Sequence, residues 1–385
     1  MYITVLNTEF EAVGIIDSFV SSIWTVRYSE YGDFELTLPM DISLFDVLKE
    51  DYYLITEDSD RCMIIEDLET ITDADEGECI KVTGRSLEII IGRRVVLNKV
   101  IFEGKYDNQG NKISTPNLQD GIEQIFNENI INPSIAARKI PNFIFERSSD
   151  EAITSLTIEA QYYGDNVYDV VATHCYENQI GFKVTLEENY EKADGTIVPY
   201  AFVFKLFAGA DRTYDQFDNP YVIFSPDNDN LLSSNYYKSK STYKNVAIVA
   251  GEEPETESEQ RTVVTFGNGL GLDRREIFSD GSDISTYVDE ETELTDSQYR
   301  AHLKQRAIDL LMENTEIEVF EGEIEATIMY KYGEDFFIGD IVQLVDKYGH
   351  EGQAYISEFI ISQDKTGISR YPTFITLQEG VYDYE

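Results

Sequence analysis

The sequence predicts a mainly β protein with α+β insertions, on three observations. Short stretches of alternating apolar and polar residues fill the first 112 positions and return after about Tyr221. Three other stretches, within 115–130, 166–176 and 295–311, carry apolar residues at helical spacing instead. Nowhere does the chain approach the roughly 18 consecutive apolar residues of a membrane span, and no membrane-spanning segment is expected.

Residues 1–112 read as strands because YITVL, AVGII, SIWTV, FELTLP, YYLIT, RCMIIEDL and CIKVTG alternate and are separated by turn residues. Together they predict a compact barrel or sandwich. Tyr31-Gly32-Asp33-Phe34 joins two of these strands, and Asp73-Ala74-Asp75-Glu76-Gly77 supplies the next clear loop. Residues 86–91 are expected to form one short helix over an open end of the sheet.

The pattern changes near Ser114. Thr115 has the position of a helix N-cap with Pro116 in the first turn, followed by Leu118, Ile122, Ile125, Phe126 and Ile130 on one face, until Asn132-Pro133 ends the helix. A second helix, from about Asn166 to Tyr176, carries Val167, Val170, Val171 and His174 at helical spacing. Strands over 180–186 and 200–207 follow, on either side of an Asp194-Gly195 turn. Residues 113–207 are thus an α+β unit. From Tyr221 the β pattern returns through YVIF and NVAIVAG, interrupted by the acidic stretch Glu252-Glu253-Pro254-Glu255-Thr256-Glu257, which reads as a solvated loop. Thr295 and Gln298 have capping-box spacing ahead of a stripe of Tyr299, Leu303, Ala307, Leu310 and Leu311, and after Thr315 the chain is β to its end. Tyr332-Gly333-Glu334-Asp335-Phe336 echoes the earlier Tyr-Gly-acid-Phe turn, as though one barrel motif had been used twice.

Composition narrows the function. With 73 Asp+Glu against 30 Lys+Arg, the formal net charge is −43. Nucleic acids and anionic membrane surfaces are polyanions held mainly by Lys and Arg, so a surface this negative argues against both as ligands. The chain is not thereby disordered, because 42% of it is apolar and it contains 26 Tyr and 21 Phe. At roughly 150 residues per domain its length suggests two or three domains, or fewer with inserted subdomains. The N-terminus has neither a basic segment nor a long apolar one, so synthesis in the cytosol with reduced thiols is expected. Cys62, Cys79 and Cys175 are too few for a disulfide framework and lack zinc-site spacing. A hairpin closing near Asp75 puts Cys79 opposite Ile71, leaving Cys62 about nine positions further along, roughly 30 Å at the strand rise.

No pattern calls for a catalytic residue, a cofactor or a metal. His174, His302 and His350 lie far apart; His174 falls on an apolar helical face and reads as core packing, the other two as surface residues. Ser225-Pro226-Asp227-Asn228-Asp229-Asn230 resembles the opening of a calcium loop, but with Asp227 as position one, Leu232 stands where Gly is needed and Lys238 where Glu is needed, so a structural Asx turn is the preferred reading. Gly267-Asn268-Gly269-Leu270-Gly271 lacks the phosphate-loop Lys-Ser/Thr and reads as a loop between strands. A carboxylate-pair hydrolase leaves no local signature, and a wall or polysaccharide hydrolase stays open as an alternative. So does a carbohydrate-binding module, in which tyrosine rings stack on sugars, although scattered strand tyrosines fit sheet packing better.

Basic residues are scarce, and their clusters stand out: Arg85 with Glu88, then Arg93-Arg94, and Arg274-Arg275 beside Glu276. Arginine pairs bidentately with carboxylates, so these suit ion pairs inside the fold or contacts between subunits. Both readings stand.

The same segments carry a family resemblance. Trp24-Thr25-Val26-Arg27-Tyr28, Gly32-Asp33-Phe34-Glu35-Leu36 and Gly84-Arg85-Ser86-Leu87-Glu88 with Arg93-Arg94 look like the ReqiPepy-type siphophage tail proteins. So, in order, do 128–133 (ENIINP), Lys244-Asn245-Val246 with Ala250-Gly251-Glu252, Arg274-Arg275-Glu276, Phe320-Glu321-Gly322 and Gly339-Asp340-Ile341-Val342. The resemblance covers nearly the whole chain. It implies a tail-associated or baseplate hub: a virion protein, assembled in the host cytoplasm, forming a homotrimer that closes the distal end of the tail tube and opens for DNA passage. It further implies two related β-barrel hub domains per subunit, assigned to 1–112 and to 208–250 with 316–385, with an α+β outer domain at 113–207 and a loop and helical insertion at 251–315. Implied partners are the distal tail protein, tail-tip or fibre proteins and the tape-measure protein, with DNA passing without specific binding. Some relatives carry a C-terminal peptidase, wall hydrolase or fibre; this chain ends a few residues past its last predicted strand, and is expected to be a hub without a lysin.

Overall fold

The computed structural model describes residues 2–73, 77–106, 112–230, 233–254, 260–287, 293–323, 329–348 and 351–376. Every alternating run predicted in the first part of the chain is a strand: β1 (Ile3–Leu6), β2 (Ala12–Ile16), β3 (Ser21–Arg27), β4 (Asp33–Pro39), β5 (Tyr53–Thr56), β6 (Ser59–Asp73) and β7 (Gly77–Ser86). The tip 74–76 lies outside the described residues, but Asp73 pairs with Gly77 and Ile71 with Cys79, the register expected for a hairpin closing near Asp75. Cys62, Cys79 and Cys175 are free thiols.

These strands are part of a larger sheet of 13 strands. Its order runs from Ser233–Ser239 through Ile317–Glu323, Gly367–Thr376 and Glu351–Asp364 to β3, β4, β7, β6, β5, β1 and β2, with Ile341–Val345 and Ile223–Phe224 branching off Glu351–Asp364. The long strand Glu351–Asp364 makes this possible by changing partner along one edge. Its first residues pair with Ile341–Val345 (Tyr355 opposite Ile341), and its later ones pair with β3 (Phe359 opposite Val26, Ile361 opposite Trp24). The change falls at Ser357, where a bulge interrupts the pairing with Gly367–Thr376. A bulge bends and twists its strand, which re-aims the edge from one neighbour to the next.

One apolar core serves both halves. Trp24, Phe34, Leu36 and Val82 from the early strands pack in the same cluster as Phe224, Phe336, Phe359 and Phe374 from the late ones. On β4 the buried residues alternate, Phe34, Leu36 and Leu38, because successive side chains leave a strand on opposite faces. Full burial of each such side chain contributes roughly 1.5–3 kcal/mol. The described pairings join both halves in one sheet and close no barrel.

The echo between the two Tyr-Gly-acid-Phe turns is partial. The first joins β3 to β4, with Gly32 donating to Ser86 Oγ at 2.7 Å. The second is a tight turn in a loop ahead of Ile341–Val345, closed by the Lys331 carbonyl accepting from Glu334 and Asp335, with Gly333 at φ 84°. Both turns nonetheless end by placing a phenylalanine, Phe34 or Phe336, in the shared core.

The outer α+β unit has a three-stranded sheet in the order Phe143–Glu146, Ile197–Phe207, Gly181–Glu191. The predicted Asp194-Gly195 turn joins the last two, with Glu191 opposite Ile197. Of the predicted helices, one starts later than expected. Leu118–Phe126 is capped by Asn117, whose side chain accepts from the Asp120 N–H, and not by Thr115. Asn117 also donates to the Thr154 and Leu156 carbonyls, so the same amide caps the helix and ties down the segment opposite. A π-helical turn, Asn127–Ile131, carries the chain on to the buried Ile130. The expected short helix is the 3₁₀ segment Leu87–Arg93, and the second predicted helix is Val167–Glu177, capped by Asn166.

A third apolar cluster unites the sheet Val263–Gly267, Val246–Ala250, Glu276–Asp280 with the helix Asp296–Glu313, through Ala247, Val249, Leu303 and Ala307. Both arms of the predicted Thr295–Gln298 capping box are made. No helix among the described residues is long and apolar enough to cross a membrane.

Candidate functional site

Three parts of the chain meet around Tyr28, just past the end of β3. Its N–H donates to Ser357 in the late strand, its carbonyl accepts from Phe182 in the outer sheet, and its hydroxyl donates to the Gln179 carbonyl at 3.2 Å and accepts from Gly209 N–H at 3.0 Å. Glycine is required on both sides of the ring. A Cβ on Gly181 or Gly339 would lie 2.4 or 2.2 Å from ring atoms, and Gly339 also has φ 88°. Burial pushes the phenol's pKa up.

Beside Tyr28 lie two buried ion pairs. Arg61, with 2% of its side chain exposed, stands 3.2 Å from Glu88, itself 1% exposed, and Glu88 Oε1 also accepts from the Val184 N–H. Asp340 accepts from the Ala210 and Phe337 N–H groups and from Arg212 Nε at 2.5 Å. A cleft of about 920 Å³ opens between these pairs, bounded by Phe207 from the outer sheet, Arg61 from β6 and Tyr332, Phe337 and Phe359 from the late half.

The predicted site residues go to separate places. Glu88 pairs with Arg61 and not with the arginines near it in sequence. Arg85 makes a two-armed contact with Glu66, at 2.6 and 2.7 Å, and lies 5.1 Å from the Tyr31 ring. Arg93 reaches Asp51 at 3.4 Å, and Arg94 donates to the Arg138 and Arg93 carbonyls. Arg274 pairs with Glu276 at 2.5 Å, whereas Arg275 donates to the Lys240 carbonyl and lies 5.8 Å from the Tyr243 ring. The sequence offers no signal for Arg61 and Arg212, which stand in ordinary strand or loop contexts, and Asp340 enters there only within the Gly339-Asp340-Ile341-Val342 landmark, with no role attached.

The calcium-like segment is a 3₁₀ turn, Pro226–Asn228, tied by Ser225 Oγ accepting from Asn228 and Asn230 Oδ1 accepting from Ser225. No group of three or more His, Cys, Asp or Glu side chains converges as a metal site among the described residues. Gly267–Gly271 lies between the strand Val263–Gly267 and the 3₁₀ turn Gly271–Asp273, as the loop reading expects.

The histidines are buried where described. His174 bonds Tyr162 through Nε2 and Glu177 through Nδ1 at 3.1 Å. His302, expected at the surface, is 3% exposed, because the helix Asp296–Glu313 packs this face against Gln161. His350 lies outside the described residues. Near His174, burial first and then the charge of Glu177 raise the Asp309 carboxyl to about 7.

A family model, siphovirus ReqiPepy6 Gp37-like protein, matches residues 2–374. Among solved structures, the chain is similar to the 43 kDa tail protein of prophage MuSo2 from Shewanella oneidensis, with TM-score 0.55, 9% identity and 98% of each chain covered. It is likewise similar to a tail protein from Neisseria meningitidis MC58 (TM-score 0.53, 8% identity, 99% of this chain and 98% of that one). The prophage tail protein gp18 from Listeria monocytogenes EGD-e gives TM-score 0.54 and 11% identity, covering 99% of this chain and 96% of that one. At these identities the likeness is one of fold. No curated protein matches the chain.

Proposed function

Because the chain belongs to the siphovirus ReqiPepy6 Gp37-like family, we propose that it is a structural protein of the phage tail tip, the hub that closes the distal end of the tail tube. The observation that carries this reading is the fold likeness to prophage tail proteins over nearly the full length of both chains.

In the proposed assembly three copies form a ring. Each contributes two barrel-related units, 1–112 and 208–250 with 316–385, and carries 113–207 and 251–315 outside them. Six such units around a threefold axis match a sixfold tube. The distal tail protein, tail-tip or fibre proteins and the tape-measure protein are its neighbours, and assembly takes place in the host cytoplasm. The ring opens to let the tape-measure protein and DNA leave. Three copies, each with net charge −43, would repel DNA phosphates along that path and keep the conduit from binding its cargo. Of the arginine clusters, the exposed guanidinium of Arg93, together with Arg94, Arg274 and Arg275, are the candidates for contacts between copies, because Glu88 is enclosed with Arg61. No catalytic role is assigned.

Gold-labelled antibody on intact virions, with quantitative mass spectrometry of the same particles, tests the reading. Label at the distal tail tip with three copies per particle is expected; label on the head or along the shaft would contradict it. A zymogram on host cell walls separates the hydrolase alternative, since clearing by the purified chain would replace the structural role with an enzymatic one.

A further inference from the structure

We propose that two edges of the large sheet pair with each other between copies of this chain: β6 beyond Glu66 on one copy and Ser233–Ser239 on the next. The sheet repeats itself. In its early half β3, β4, β7 and β6 lie side by side; in its late half Ser233–Ser239, Ile317–Glu323, Gly367–Thr376 and Glu351–Asp364 follow in the same order, all antiparallel. The registers coincide. Trp24, Phe34, Gly84 and Ile65 stand across the first set as Tyr236, Phe320, Phe374 and Ile356 stand across the second. Even the irregularity recurs. The fourth strand bulges one residue later, at Glu66 or at Ser357, and ahead of the bulge it pairs with a short strand, β5 or Ile341–Val345.

Beyond the bulge the two halves differ. Glu351–Asp364 goes on to pair with β3, Glu358 opposite Arg27 and Ile360 opposite Thr25. The corresponding part of β6, residues 67–73, pairs with β7 alone among the described residues, and Ser233–Ser239, the counterpart of β3, pairs with Ile317–Glu323 alone. Each open edge is therefore one half of a junction whose other half is also present and open. Within one chain the two stand at opposite ends of an eight-strand stretch, roughly 34 Å apart along the sheet. Carrying over the register of the internal junction puts Asp67 opposite Ser239, Glu69 opposite Tyr237 and Ile71 opposite Asn235 of the next copy. An unpaired row of N–H and C=O groups is a template for such a strand.

Charge commits the occupant to a second copy. In a chain with 73 acidic side chains, residues 230–251 hold Lys238, Lys240 and Lys244 and no Asp or Glu. Lys238 and Lys240 share one carboxylate, that of Glu316. The edge they would meet carries Glu66, Asp67 and Glu69, the last two exposed. Opposite charges on facing strands stabilise a pairing and fix its direction. Leu68 packs half-buried against the shared core, at the position that Phe359 takes in the internal junction, and the Lys238 stem would lie over it. Tyr236 and Tyr237 are 46% and 53% exposed, which leaves ring surface for a neighbour to cover. Because the contact joins unlike edges, it runs head to tail and builds a ring rather than an isolated pair. It rests on the tail-hub reading only for the number of copies.

Virion tails assembled with Glu69→Cys and Tyr237→Cys in a Cys79→Ser background test the pairing; Cys79 is removed because it lies opposite Ile71, near the new thiol. Directly opposite residues on paired strands have Cβ atoms about 4.5–5.5 Å apart, within a small adjustment of a disulfide. After diamide oxidation the chain is expected to run as a covalent trimer on a non-reducing gel, while each single variant, Glu69→Cys or Tyr237→Cys, stays monomeric. Carbodiimide treatment of wild-type tails, which needs no variant, should join Lys238 or Lys240 to Asp67 or Glu69, links absent from the dilute single chain. The proposal is overturned if the double variant stays monomeric in assembled tails, or if carbodiimide joins those lysines only to Glu316 and other acids of the late half. Should the double variant give no tails, the wild-type link decides. A covalent ladder that closes at another number supports the pairing and overturns the threefold ring. Monomers in tails that still label at the distal tip overturn the pairing and leave the hub reading standing.

Discussion

Where β3 meets Glu351–Asp364, the two halves of the chain join through backbone pairing over an apolar core; where the helix Asp296–Glu313 meets the outer α+β unit, the joint is made of titratable side chains. At the first seam Trp24 stands opposite Ile361 and Val26 opposite Phe359, and all four are at most 2% exposed. At the second, Tyr162, His174 and Glu177 face Gln305, Arg306 and Asp309, and small cavities of about 180 and 60 Å³ remain on either side. Buried polar atoms stay unbonded there, Glu177 Oε1 and His302 Nε2 among them. The first seam also keeps one unbonded buried atom, Trp24 Nε1, but an indole N–H does not titrate, so that seam responds to little short of unfolding. A seam of half-satisfied polar groups responds to a single proton. The large sheet is therefore the permanent frame, and the helical unit is the part whose attachment can be tuned.

Removing a ring from the first seam should have the largest effect. Phe359→Ala is expected to cost about 3–5 kcal/mol in urea unfolding; a loss below about 1 kcal/mol would mean that the shared core is not what holds the halves together.

The second seam should reveal itself through pH. Asp309, raised from 3.8 to about 7, binds its proton more tightly in the folded state. Its stabilising contribution is complete below about pH 4 and is lost as pH rises through about 7, at up to about 1.4 kcal/mol per pH unit. Glu177, His174, Arg306 and Tyr162 are the charged or titratable groups facing it among the described residues. Asp309→Asn should flatten that slope, and an unchanged slope would move the effect elsewhere. His302 pulls the other way. Burial lowers its pKa below 6.5, so the fold loses stability as pH falls below about 6.5, against the opposing charge of Glu159. His302→Gln should remove that acid limb.

Smaller effects sharpen the contrast. Thr295→Ala removes the side-chain arm of the capping box, leaving the arm from the backbone N–H of residue 295 to Gln298 Oε1, and should cost about 1 kcal/mol, loosening the helical unit without touching the large sheet; hydrogen exchange would show the change confined to Asp296–Glu313. Arg274→Ala, which removes an exposed pair with Glu276, should change the stability of the single chain by less than about 1 kcal/mol. If Arg274 holds copies together, the same variant should weaken ring formation in an assembly assay.

Much of this was legible in the sequence, for physical reasons that also mark where reading stopped. Alternation showed the strands β1 to β7, and the acidic turn near Asp75 set the Ile71–Cys79 register. Alternation fixes which face a residue occupies, not which strand lies beside it, so the pairing of β3 with Glu351–Asp364 could not be read. Capping chemistry gave Thr295 correctly and Thr115 wrongly, because Asn117 two positions later is an equally good cap with extra carbonyls to bind. His302 could have been found: it sits three residues after Tyr299, on the edge of the stripe that packs inward. The pairings of Arg61 with Glu88 and of Asp340 with Arg212 could not, since a buried ion pair formed across distant segments leaves no local pattern.

The most direct measurement is an image reconstruction of the tail tip of the virion that carries this chain. A threefold ring at the distal end, with the early and late halves of the large sheet alternating around the axis, is the predicted result. A tip built with one or six copies of the chain, or a virion in which the chain lies elsewhere, would contradict it.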